Sequence, residues 1–100
     1  MDPEKVLDML LTGYSHWVRA TDYARTTMEV KIAAMEAIAW WERAAAEANV
    51  PLPPDLRHAV LNVDLALITP DTEYESYVVR TERKIQRWFM EVLKKVLQQK

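Results

Sequence analysis

Residues 81 to 97 read Thr81-Glu82-Arg83-Lys84-Ile85-Gln86-Arg87-Trp88-Phe89-Met90-Glu91-Val92-Leu93-Lys94-Lys95-Val96-Leu97. Ile85, Trp88, Phe89, Val92, Leu93, Val96 and Leu97 advance by three, one, three, one, three and one, which sets them on one face of an α-helix. Thr81 stands where an N-cap belongs, so Arg80-Thr81 reads as a turn and the last helix runs from there to about Gln98. Before it, Asp71 to Val79 reads as a short helical piece, with Thr69 as its cap and Pro70 as its first position. Further back, Leu56, Val60, Val63 and Leu67 make one face of a helix that starts at Pro54 or Asp55. Leu61, Leu65 and Ile68 add apolar groups on its other sides, the pattern of a helix placed centrally in a bundle.

Upstream of Pro51-Leu52-Pro53-Pro54, a stiff connector, lies the longest helical signal, from about 27 to 48. Thr26 and Glu29 form a capping box, and Asn49 closes the far end. Met28, Ile32, Met35, Ile38, Trp41 and Ala45 follow helical steps and are expected as one buried stripe. Glu29, Glu36 and Arg43 run down the other side. At the start of the chain Asp2 is the expected N-cap and Pro3 the first helical residue, followed by Val6, Leu7, Leu10 and Leu11 at helical spacing. Gly13 reads as the C′ residue that ends this helix. Tyr14 to Arg25 fits either a second helical piece or a bend.

Composition supports the same class. A chain of 100 residues, 50% of them apolar and 28% charged, is long enough for one hydrophobic core and is too apolar for disorder. One glycine leaves no material for hairpin turns or phosphate loops. The absence of cysteine excludes disulfides, thiolate metal sites and a cysteine nucleophile. No apolar run approaches the roughly 20 residues that span a bilayer, and Met1-Asp2-Pro3-Glu4 is too acidic to begin a signal peptide. The expectation is a single all-α domain of four to five helices, soluble and cytoplasmic, needing no cofactor. Residues 1–49 would supply the N-terminal helices and 54–98 a tri-helical C-terminal unit.

The net charge of −2 hides an asymmetry. Residues 80–100 carry seven cations against two acids, whereas residues 1–79 carry six against thirteen. Helix dipoles account for Lys94, Lys95 and Lys100 near a C-terminus, but not for Arg80, Arg83, Lys84 and Arg87 near an N-terminus. Cations and amides in the first turns of a helix suit a duplex, where they meet base edges and phosphates. Double-stranded DNA is therefore the expected partner.

Pro53-Pro54-Asp55-Leu56-Arg57-His58-Ala59-Val60-Leu61-Asn62-Val63-Asp64-Leu65 resembles the first helix of the sigma-factor region 4 type of helix-turn-helix, a motif also used by small phage transcription regulators. Thr81-Glu82-Arg83-Lys84-Ile85-Gln86-Arg87-Trp88-Phe89 resembles the start of its recognition helix. The resemblance covers about 45 residues and departs from the pattern at Val78-Val79-Arg80, where the family usually has a turn glycine. It implies that Arg83, Lys84, Gln86 and Arg87 face DNA, with Arg80 on a phosphate, in a small non-enzymatic transcription regulator.

Catalytic chemistry finds little material. Asp55 and His58 share a helix face, as carboxylate and histidine do in di-iron bundles, but such sites need a second pair on a facing helix. No metal site is expected. Ser15 and His16 are adjacent and lack a nucleophile elbow. Arg19, Arg25, Lys31 and Arg43 could be offered to a dianion in a small helical enzyme of the chorismate mutase kind, without a motif around them. The rival to DNA binding is a helical protein-binding module (an adaptor, an inhibitor or a designed bundle). Tyr14, Trp17 and Trp40, with Met28 and Met35, would form its groove or homodimer seam. Ala33, Ala34, Ala37, Ala44, Ala45 and Ala48 would let another helix approach closely. If Glu36, Glu42 or Glu47 pairs with the C-terminal cations, the basic patch is neutralised and DNA binding fails.

Overall fold

The computed structural model describes residues 1–68 and 71–98, and among them the chain is all-α, with five α-helices and no strand. Asp2 caps α1 (Pro3–Val18) as expected, its carboxylate accepting from the backbone N–H of Glu4 at 3.1 Å. The helix does not stop at Gly13. That glycine has a negative φ and lies inside α1, which continues to Val18 and then widens into one π-helical turn, Arg19–Tyr23. The Thr21 hydroxyl donates to the carbonyls of Trp17 and Val18, and Ala24 N–H reaches back five residues to Arg19 O at 2.8 Å. Competition of a hydroxyl for the helix carbonyls accompanies this widening.

Gly13 is needed for packing. An added Cβ there would lie 2.4 Å from Nε1 of Trp41, so only glycine leaves room for the indole. The indole N–H donates to Leu10 O at 3.1 Å, inside the core.

In α2 (Thr27–Ala48) the Thr26 hydroxyl accepts from Glu29 N–H at 3.1 Å. The Glu29 carboxylate returns to Arg25 N–H at 2.8 Å, one residue beyond the cap. Asn49 ends the helix in the left-handed region, φ 56°. The expected stripe splits in two. Ile38, Trp41 and Ala45 are buried together with Val30, Ala33, Ala34, Ala37, Ala44 and Ala48, but Met28, Ile32 and Met35 are 72%, 51% and 54% exposed. The reason is where the neighbours of α2 lie: α1 packs antiparallel along it with Gly13 against Trp41, and α3, α4 and α5 also pack on α2. The alanines expected to admit a partner helix from outside are buried within the bundle itself.

The proline connector leads to α3 (Pro54–Leu61), and Asn62 separates it from the four-residue α4 (Val63–Ala66). The Asn62 side chain donates to His58 O at 2.8 Å, giving the backbone an alternative to helix. Leu56, Val60 and Val63 are buried, while Leu65, Leu67 and Ile68 are exposed. The pair lies at the edge of the bundle, against α2 and α5, rather than at its centre. The Thr69–Pro70 cap lies outside the described residues.

The last helix differs most from expectation. α5 is continuous from Asp71 to Gln98, 28 residues, with no turn at Arg80–Thr81. Thr81 is 2% exposed and its hydroxyl donates to Tyr77 O at 2.9 Å, the back-bond of a threonine within a helix rather than the N-cap geometry. A helix-turn-helix needs two helices set at a large angle about that turn. One continuous helix replaces them, and its length, about 42 Å at 1.5 Å per residue, is close to the long dimension of a 46 × 20 × 18 Å molecule.

Ile85, Trp88, Val92 and Val96 face inward from α5. Trp41, Trp88 and Phe89 meet with centroids 5.7–6.3 Å apart, and Tyr14 meets Phe89 at 6.2 Å. Trp88 N–H is satisfied by Pro51 O at 3.1 Å, which fixes the connector to the core.

Candidate interaction surfaces

Glu82 is turned away from the other charged residues of α5 and towards α1. Its half-buried carboxylate accepts from the Tyr14 hydroxyl at 3.0 Å and from Trp17 Nε1 at 2.9 Å. Tyr14 and Trp17 were expected on an interface; both are consumed by this contact, and Trp17 is fully buried. Trp40 is half-buried, with the Arg43 guanidinium 4.8 Å above its ring. Of the three aromatic residues expected at an interface, Trp17 is lost to the core, while Tyr14 and Trp40 stay half-buried, Tyr14 bonded to Glu82 and Trp40 partly covered by Arg43.

Tyr74 donates to Thr21 O at 3.0 Å and Tyr77 to Ala59 O, so hydroxyls from the first turns of α5 tie it to the π turn and to α3. Burial, chiefly, raises the pKa of Tyr14, Tyr74 and Tyr77 above the usual tyrosine value; the Glu82 hydrogen bond and charge add to it at Tyr14, Asp22 at Tyr74, and Asp64 at Tyr77 against Arg80. A raised folded-state pKa gives stability that is complete below about pH 10 and is lost as pH rises beyond it. Urea midpoints should therefore stay level up to about pH 10 and fall above it, less steeply in Tyr14→Phe.

The DNA-facing residues expected on α5 do share a surface. Arg80, Arg83, Gln86 and Arg87 are exposed, and the three arginines have no ion pair among the described residues. Lys84 is half-buried and pairs with Asp55 at 3.5 Å. The acids of α2 are taken by other elements: Glu36 by His16 at 2.8 Å and Arg19 at 3.9 Å, Glu42 by Arg57 at 3.6 Å, and Glu47 by Lys5 at 3.0 Å. None of them reaches the α5 cations. Because Glu82 faces inward, the outward side of α5 from Ser76 to Met90 carries cations without an acid.

An open cleft of about 880 Å³ lies between α3–α4 and α5, with His58, Asn62, Glu73, Ser76, Tyr77 and Arg80 on its walls. His58 Nδ1 meets the Asn62 amide at 3.2 Å, and no hydrogen bond joins Ser76 to His58 among the described residues. The serine, the histidine and the acid do not form a catalytic relay, and Asp55, three residues before His58, is directed to Lys84. Among the described residues no three metal-ligating side chains come together, and no helix is long and apolar enough to cross a membrane.

The outward face of α2 holds Met28 and Met35, expected both in the buried stripe and in a groove or seam, and it parts them from the aromatics they were grouped with. Met28, Ile32, Met35, Ala39, Glu42 and Ala46 are all exposed, at successive steps of four, three, four, three and four. That spacing was visible, but it shared its first members with the stripe assigned to the core.

No protein-family model matches the sequence, and no curated protein or solved structure matches it at a significant level.

Proposed function

We propose that the chain is a non-enzymatic helical protein-interaction module whose working surface is the outward face of α2. The observation that carries this reading is an inverted partition on one helix: five alanines are buried at 2% or less, while two methionines and an isoleucine stand more than half exposed. Alanine contributes little transfer energy inside, and methionine and isoleucine lose the most by facing water. Methionine is also enriched in interface cores, where its flexible thioether adapts to a partner. In affinity capture run with the unmodified chain and with Ile32→Asp/Met35→Glu in parallel, the variant should keep its helical circular dichroism and stability to within about 1 kcal/mol, because both positions are exposed. It should lose the bound protein. A purified partner held equally by both chains would overturn the reading.

A second reading is favoured by one observation, the three exposed arginines of α5 that have no acidic partner among the described residues. They lie along the middle of a helix rather than at its N-terminus, so a duplex would be met through phosphates more than base edges. Titration into labelled duplex should then show binding that weakens steeply with salt and is lost in Arg83→Ala/Arg87→Ala. No binding at low salt would remove it.

A further inference from the structure

The outward face of α2 is patterned in a way that is complementary to itself. Its six exposed positions follow the a/d spacing of a two-helix seam. The large residues, Met28, Ile32 and Met35, lie in the first half, and the small ones, Ala39 and Ala46, in the second. A parallel pair of such helices would crowd methionine against methionine at one end and leave alanine against alanine at the other. An antiparallel pair centred beside Ala37 instead sets Met28 against Ala46, Met35 against Ala39, and Ile32 against the aliphatic stem of Glu42. Large then meets small at Met28–Ala46 and Met35–Ala39, four of the six seam positions, as close packing requires.

The charges repeat this pattern independently. Glu29, which accepts from Arg25 N–H through one carboxylate oxygen, and Arg43, whose guanidinium lies over Trp40, flank the seam on the same edge, both exposed. Their midpoint is Glu36, one residue from the centre of the seam, which is the offset that the e positions have in an antiparallel pair. The axis that matches large with small therefore also brings Glu29 of one copy opposite Arg43 of the other. Glu36 falls on the axis and would face its own copy, with the Arg19 guanidinium at 3.9 Å and the His16 ring at 2.8 Å beside each carboxylate. Glu42, within the seam, has Arg57 at 3.6 Å.

From these two coincident patterns we infer that the occupant of the α2 face is a second copy of this chain, packed antiparallel, with Glu29 and Arg43 crossing at each end. The inference rests on the reading of that face as the interaction surface, and it names the partner.

The chain has no cysteine, so single thiols can be placed cleanly. A mixture of Met28→Cys and Ala46→Cys chains under mild oxidation should give the mixed disulfide dimer. Met28→Cys alone should cross-link at least about tenfold more slowly, because its two thiols would lie roughly 27 Å apart, 18 residues at 1.5 Å each. In sedimentation equilibrium the unmodified chain should be dimeric, and Ile32→Asp should weaken the dimer at least about tenfold. Glu29→Arg and Arg43→Glu should each weaken it, and the two together should restore it. Rapid cross-linking of Met28→Cys with itself, or indifference to the charge exchange while Ile32→Asp still dissociates the dimer, would overturn the antiparallel arrangement and leave the α2 face standing. A dimer untouched by Ile32→Asp would place the contact elsewhere. A chain that stays monomeric would exclude a second copy as the occupant, and the capture experiment would then decide the face separately.

Discussion

Alanine in place of Gly13 is expected to lower the stability of the bundle by about 2–4 kcal/mol, although the same change in an exposed helix would raise it by up to about 1 kcal/mol. The added Cβ would overlap the Trp41 indole, at 2.4 Å from Nε1 and 2.6 Å from Cδ1. The indole is fully buried and in ring contact with Trp88 and Phe89, so it has no free space into which to retreat. Overpacking of this kind costs about 1–3 kcal/mol. Shifting the ring also breaks its hydrogen bond to Leu10 O and leaves a buried donor unpaired, a further cost of about 1–3 kcal/mol. Urea unfolding with an unchanged m-value and an altered near-ultraviolet tryptophan signal would show both effects. A neutral or stabilising Gly13→Ala would mean that the close contact is not what holds α1 against α2.

Proline in place of Arg83 is expected to cost about 3 kcal/mol or more, with Arg83→Ala close to neutral. Position 83 is exposed and forms no ion pair among the described residues, so the backbone alone decides the outcome. Within α5 a proline there removes one hydrogen bond and drives its ring into the carbonyl of Val79. Were Thr81 an N-cap, position 83 would lie in the first turn, where the N–H has no intrahelical partner and proline is tolerated. Comparison of the two variants by thermal or urea unfolding distinguishes one long helix from a turn and a recognition helix. A small cost for proline would restore the turn.

The two substitutions mark where local sequence is ambiguous. A glycine within a helical pattern serves equally as a terminator or as a site of close approach. A threonine serves equally as a cap or as a residue bonded back to the carbonyl four positions earlier. At Thr81 the outcome follows from the preceding turns, because the Tyr74 and Tyr77 hydroxyls bind Thr21 O and Ala59 O and hold those turns in line with the rest of α5. Neither acceptor is near in sequence to its donor, so no window around residue 81 contains the deciding contact.

The candidate surfaces divide in the same way. That Arg83, Gln86 and Arg87 lie off the apolar stripe of the last helix was legible from their spacing, whereas Arg80 joins them only because α5 runs on without a turn. That no α2 acid reaches them was not legible, because it depends on which helices are neighbours. Tyr14 and Trp17 looked available for an interface because nothing local satisfies them; Glu82, more than sixty residues away, does.

By itself the sequence determined the all-α class, the start of α1 and both ends of α2. Asp2 with Pro3, Thr26 with Glu29, and Asn49 act through bonds to backbone groups within four residues, and such bonds form regardless of what packs nearby. Only the tertiary structure decided which of two interleaved stripes on α2 is buried. Both stripes have helical periodicity, and periodicity gives the angle between faces without saying which face meets a neighbour. The alanine face is buried because the other helices pack on that side of α2, α1 most extensively and with Gly13 against the Trp41 indole, and the methionines are left to face outward.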